Sequence, residues 1–213
     1  MCSFNFFYHK TLGLTEHQFL LPMAKKPKKL PQVFGQEEII TFLEAASNRK
    51  ARAMLMLGYG AGLRVSEVAK LKLSDINRAR MIIEVRGGKG GVDRYVDLSE
   101  SLRQTLLRYW DAYRPTDWMF PRKMEAAPVT TDGVRYHFQA TLKRSGIKKA
   151  VTFHSLRHSY ATHLLEMGKD PRTIQRLLGH RSISSTYTYL HIARGGILKT
   201  NSPLDLLDWP GKD

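Results

Sequence analysis

Residues 154–189 read HSLRHSYATHLLEMGKDPRTIQRLLGHRSISSTYTY. Three helices fit this stretch, at about 155–167, 171–178 and 183–192, with Gly168 and Gly179 placed where helices end. His154 and Arg157 stand three apart and so share a helical face. His180 closes the run Leu177-Leu178-Gly179-His180, and Tyr189 follows nine positions later. Tyr187 and Tyr189, two apart on a helix, point roughly 200° away from each other, so only one of them can serve a common site.

Upstream the pattern stays helical, with helices expected at about 99–113 and 130–145, the second ending at Gly146. Between 81 and 98 the period changes. Met81-Ile82-Ile83-Glu84-Val85 and Arg94-Tyr95-Val96-Asp97-Leu98 are rich in β-branched and aromatic residues, and Gly87-Gly88-Lys89-Gly90-Gly91 lies between them, which predicts a hairpin with a flexible tip. Three more helices precede it. Gln36-Glu37-Glu38 places acid in a first turn ahead of Ile39, Ile40, Phe42 and Leu43. A second helix, about 51–59, carries Met54, Leu55 and Leu57 as core residues and ends in Gly58-Tyr59-Gly60-Ala61-Gly62; a third runs over about 64–71. The fold class is therefore mostly α (α+β), with one small antiparallel sheet or hairpin, over a domain spanning 33–213. Before it, 22–32 is a basic linker with Pro22, Pro27 and Pro31 among Lys25, Lys26, Lys28 and Lys29. It reads equally as a solvated tether or as a tether lying along phosphates. Residues 1–21 are an aromatic-rich fragment too short to build a core of its own.

Lys and Arg total 34 against 19 Asp and Glu, a formal net charge of +15 over 213 residues, with an isoelectric point near 10.0. Such a surplus favours a polyanionic partner, above all nucleic acid. The single cysteine, Cys2, excludes an internal disulfide and fits a cytoplasmic protein. No apolar run approaches the ~18 residues of a membrane span, and no signal peptide is evident.

Gly62-Leu63-Arg64-Val65-Ser66-Glu67, Lys89 in the glycine tip, His154 with Arg157, His180 and Tyr189 together resemble the tyrosine recombinase (phage integrase) family, over about residues 33–207. The resemblance implies site-specific cutting and rejoining of DNA through a 3′-phosphotyrosyl intermediate, and it assigns the nucleophile to Tyr189, leaving Tyr187 to packing. Arg64 and Arg157 would hold the non-bridging phosphate oxygens with their planar forks, with His180 adding a hydrogen bond. Lys89 would be the general acid for the 5′ leaving oxygen, and His154 the proton acceptor for Tyr189. Glu67 would orient Arg64, three residues before it. No metal or nucleotide cofactor is implied. The implied partner is double-stranded DNA, gripped by a homo-oligomer, a tetramer on DNA and a monomer off it; no membrane is involved. Arg135, Lys143, Arg172, Arg176 and Arg181, with the four linker lysines, are candidate backbone contacts. His158 and His163 read as structural, for want of partners that would complete a metal site.

Family members carry a helical core-binding domain before the catalytic one, and residues 1–21 look like the last helix of such a domain. The chain therefore reads as truncated, and the alternative is a DNA-binding remnant or accessory protein that does not recombine alone. A topoisomerase-like enzyme with the same chemistry is a further rival. The apolar segment Ser202-Pro203-Leu204-Asp205-Leu206-Leu207 is expected to pack either in cis or on a neighbouring protomer.

Overall fold

The computed structural model describes residues 7–13, 31–86, 93–122, 125–180, 182–190 and 192–193. Helix α1 (Gln36–Glu44) opens with Glu38 accepting from the Gly35 amide at 2.7 Å, and Glu37 beside it adds negative charge at the helix N-terminus. Asn48 caps α2 (Arg49–Gly60) by accepting from the Ala51 amide. Met54, Leu55 and Leu57 of α2 are fully buried, as their spacing predicts. A tight turn then leads into the short α3 (Val65–Ala69).

The small sheet is antiparallel, in the order β1 (Ile76–Asn77), β2 (Ile82–Val85), β3 (Arg94–Asp97), with Ile83 opposite Val96 and Val85 opposite Arg94. The β2–β3 hairpin is the one expected from the sequence; β1, which adds to its edge, and a second ribbon of β4 (Pro121–Arg122) with β5 (Glu125–Pro128) are not. Proline at both ends of one pairing and alanines between carry no strand signal, so that ribbon forms through its tertiary setting. The hairpin tip with Lys89 lies outside the described residues.

Ser99 caps α4 (Glu100–Tyr113), and Thr130 caps α5 (Thr131–Ser145), which ends in left-handed Gly146. The last three helices are α6 (Phe153–Glu166), α7 (Pro171–Leu178), started by Asp170 and Pro171, and α8 (Ser184–Leu190). The main core sits between α1, α2, α4, α5 and the sheet, with Phe34, Phe42 and Phe138 packed ring on ring. A separate, smaller core joins α6, α7 and α8 through Ala161, Leu165, Ile174, Leu178 and Tyr189. The two are bridged by α6, whose Phe153 and Leu156 belong to the first and Ala161 and Leu165 to the second. The candidate site lies where α6 crosses from one to the other.

Of the leading fragment, Phe7–Thr11 forms one helical turn. Lys25, Lys26, Lys28, Lys29, Arg181 and the Ser202–Leu207 segment lie outside the described residues. Among the described residues no helix is long and apolar enough to cross a membrane.

Candidate active site

Gly62 sets the first piece. It has φ +60°, and a Cβ there would meet Tyr160 Cδ1 at 2.6 Å, so the turn between α2 and α3 accepts only glycine. That turn delivers Arg64 to the start of α3, where the Glu67 carboxylate takes a hydrogen bond from the Arg64 amide at 2.8 Å and from Arg64 Nη1 at 2.7 Å. The Arg64–Glu67 pair expected from the sequence is thus formed. The same carboxylate accepts from Arg94 Nη1 and Nη2, both at 2.8 Å, a bidentate pair in which both side chains are less than a tenth exposed. Burial opposes the Glu67 charge; the hydrogen bonds and charge of Arg94, joined by those of Arg64, overcome it and hold the carboxyl at about 2.

Arg94 is a site residue that the sequence reading missed. Its Nε donates to the Leu177 carbonyl at 2.8 Å, tying β3 to the end of α7. There Gly179, at φ +61°, leaves room for it: a Cβ on Gly179 would stand 2.9 Å from Arg94 Cδ. The signal was present in the alternation of β3, which turns Arg94 and Val96 inward and Tyr95 and Asp97 outward. An inward arginine in such a strand requires a buried partner.

Arg157 is fully buried. Its Nη1 donates to the Gly62 carbonyl at 2.7 Å and its Nη2 to the Leu178 carbonyl, so one guanidinium staples the α2–α3 turn to the end of α7. Glu67 Oε2 stands 3.9 Å away, and Nε has no hydrogen-bond partner among the described residues. Burial and the nearby Arg64 charge both work against the Arg157 cation. A cation held this way, with one buried donor unused, favours an incoming anion.

His180 follows Gly179 and is oriented by Thr186, a fully buried residue whose Oγ1 lies 3.0 Å from His180 Nδ1. A hydroxyl donating to Nδ1 would leave the ring proton on Nε2, the tautomer able to donate to a phosphate oxygen. Burial, followed by the charges of Arg157 and Arg64, lowers the His180 pKa to about 4, so its ring is neutral at neutral pH.

Tyr189 is 3% exposed and packs in the smaller core, with its ring nearly parallel to that of His180 at 6.2 Å. Tyr187 is 47% exposed and points to solvent, so the expectation that it packs is not met; α8 is short and only its inner face has a neighbour. The Tyr189 hydroxyl lies 3.0 Å from Nδ1 of His158. His158 was expected to be structural, as was His163. His163 does hold the Tyr59 hydroxyl at 2.9 Å inside the protein, but His158 turns toward the tyrosine. His154, expected as the proton acceptor, sits one turn earlier on α6, exposed at the mouth of the cleft, with its ring edge-on to His158 at 4.4 Å. Arg64, His154, Arg157, His158, His180 and Tyr189 line one open cleft of about 600 Å³.

Of the candidate backbone contacts, Lys143, Arg172 and Arg176 are exposed, on α5 and α7. Arg135 is exposed too, but pairs with Asp132 at 2.6 Å.

The profile described as the phage integrase family matches residues 32–195. The chain belongs to the phage integrase family. Two proteins of Sinorhizobium fredii (strain NGR234) that carry integrase/recombinase names are similar to it. The chain is 46% identical to y4qK over 90% of its own length and 62% of that protein's, and 42% identical to y4eF over 99% and 84%. The crystal structure of XerA recombinase superimposes with a TM-score of 0.70 at 35% identity, covering 78% of this chain and 62% of that one. The chain thus spans less than two thirds of y4qK and of the XerA structure. The mostly α fold with small antiparallel sheets is that of the phage integrase catalytic domain.

Proposed function

We propose that this phage integrase family member is a site-specific recombinase that cuts and rejoins double-stranded DNA, with Tyr189 as the nucleophile. The observation that carries the reading is the convergence of two arginines, three imidazoles and one buried phenol on a single cleft. A phosphodiester under attack gathers negative charge on its non-bridging oxygens. Arg64 and Arg157 hold positive charge at that place before the substrate arrives, and preorganised charge of this kind is usually the largest catalytic contribution, with one such donor worth about 3 kcal/mol. His180, aimed by Thr186, supplies a further donor through Nε2. Glu67 and Arg94 keep Arg64 and the end of α7 in register and stand as positioning residues. By resemblance, Lys89 protonates the 5′ leaving oxygen. The covalent phosphotyrosine conserves the bond energy, so rejoining requires no nucleotide.

The net charge of +15 suits this substrate, and exposed Lys143, Arg172 and Arg176 would add backbone contacts whose contribution falls with salt. A tetramer on DNA, each protomer cutting one strand, and residence in the cytoplasm complete the reading. The test is a nicked suicide substrate drawn from a pool of duplexes with randomised flanks. The full chain should form an SDS-resistant adduct that the Tyr189→Phe variant does not form while still binding DNA. Binding without any adduct in the unaltered chain would instead mean a DNA-binding protein that has lost its chemistry.

A further inference from the structure

We propose that His158, the residue directly after the arginine of the H-x-x-R pair, is a catalytic residue that receives the proton of Tyr189 when the tyrosine attacks DNA. The inference rests on the reading of Tyr189 as nucleophile.

Geometry carries it. Among the described residues, the ring nitrogen within hydrogen-bond reach of the phenol oxygen is His158 Nδ1, at 3.0 Å, with the two rings tilted at 53°. A general base must lie within that reach of the proton it takes. His154 is exposed and contacts His158 edge-on, one helical turn further from the hydroxyl's partner.

The surroundings give the phenol reason to need a base. Tyr189 is buried against the α6–α7 core, and burial raises its pKa above that of an ordinary phenol, an effect that Arg157 and Arg64 only partly offset. A phenol is already overwhelmingly protonated at neutral pH, and this shift makes it more so. His158 in turn is kept neutral, with an open lone pair: burial comes first, then the neighbouring His154, Arg157 and His180, and its pKa falls to about 4. The charged and titratable groups around it are His154 and Arg157 on α6, Arg64 and Glu67 at the start of α3, Arg94 on β3 and His180 after α7. A phosphodiester bound between Arg64 and Arg157 cancels part of that positive field and so raises the basicity of His158. Proton transfer is thereby tied to the presence of substrate, and the resting tyrosine is held protonated.

The step balances. The Tyr189 Oη–P bond forms, the P–O5′ bond breaks, the Oη proton passes to His158 Nδ1, and the 5′ oxygen leaves as a hydroxyl with a proton from the general acid. In rejoining, the 5′ hydroxyl attacks phosphorus, its proton returns to the general acid, and His158 gives its proton back to the departing phenol.

The test uses the full chain, a duplex recovered from the randomised pool by adduct formation, and the same duplex with a 5′-bridging phosphorothiolate, whose sulfur leaves without a proton. Single-turnover adduct formation is followed from about pH 6 to about pH 9.5, a range below the phenol's own ionisation. His158→Asn keeps a polar atom near the place of Nδ1 but no basic nitrogen. It should be roughly a hundred- to a thousandfold slower at neutral pH, rise about tenfold per pH unit throughout, and gain nothing from the phosphorothiolate, with thermal unfolding and DNA binding near those of the unaltered chain. His158→Gln serves as the second variant should Asn not fold. Three results would overturn the proposal: a pH profile unchanged from the unaltered chain, rescue by the phosphorothiolate, or the tenfold-per-unit rise appearing in His154→Gln with His158→Asn unaffected. An unaltered chain that forms no adduct overturns the nucleophile reading itself, and the proposal with it.

Discussion

Replacing Glu67 by Gln removes one charge and almost no volume, and its cost follows from the structure. The carboxylate accepts four hydrogen bonds, two from Arg64 and two from Arg94, all at 2.7–2.8 Å, and its side chain is 7% exposed. Burial alone would raise its pKa; the Arg94 and Arg64 hydrogen bonds and charges instead take it from 4.5 to about 2. At about 1.4 kcal/mol per pH unit, that difference contributes ~3 kcal/mol to folding at neutral pH. A group whose folded pKa lies below its unfolded one stabilises fully above the unfolded value and loses that effect as pH falls through the folded value. Urea unfolding of the unaltered chain and of Glu67→Gln should therefore differ by ~3 kcal/mol at pH 7, and the gap should close between about pH 5 and about pH 2. A gap below ~1 kcal/mol at pH 7, the value of an ordinary surface pair, or a gap that ignores pH across the acid range, would refute the claim that this carboxylate holds the two guanidinium groups together.

Tyr187→Phe should leave adduct formation on the suicide substrate within about twofold, since Tyr187 is exposed and does not line the cleft; an inactive variant would reassign the nucleophile. Thr186→Val removes the hydroxyl that contacts His180 Nδ1 while keeping the buried volume, and should slow adduct formation roughly ten- to a hundredfold with DNA affinity unchanged in a filter-binding assay. Gly62→Ala should destabilise the protein by about 1–3 kcal/mol, because φ +60° strains any side chain and the new methyl meets Tyr160, and thermal unfolding measures it.

Much of this was legible in the sequence, where a local period or a short-range partner decides the structure. The helices over 49–60, 100–113, 131–145 and 171–178 follow apolar spacing, and their ends follow Asn48, Ser99, Thr130, Gly146 and Gly179. Arg64 with Glu67 is a contact across three residues and could be foreseen. The alternation of β3 turns Arg94 inward, but its partners, Glu67 at 27 positions and Leu177 at 83, follow from a strand docking on a helix end, which no local pattern encodes. The β4–β5 ribbon was illegible for the same reason: Pro121 and Glu125–Pro128 have no intrinsic strand preference. The contact of His158 with the Tyr189 hydroxyl was not foreseen, because the residue reads first as a possible metal ligand and then as structural. It lies about 100° round the helix from Arg157 but only four residues from His154, on nearly the same face, and that spacing was the signal. Thr186 looked like one of several small polar residues in SSTYTY; only the packing of α8 turns it to His180.

The most direct measurement is to digest the trapped protein–DNA adduct and locate the nucleotide-bearing residue by mass spectrometry. The expected result is a 3′-phosphotyrosyl linkage on Tyr189, with unmodified Tyr187 in the same peptide. A linkage on any other residue, or DNA cleaved with no covalent adduct formed, would contradict the placement of the reacting phosphate in the cleft of Arg64, Arg157, His158 and His180.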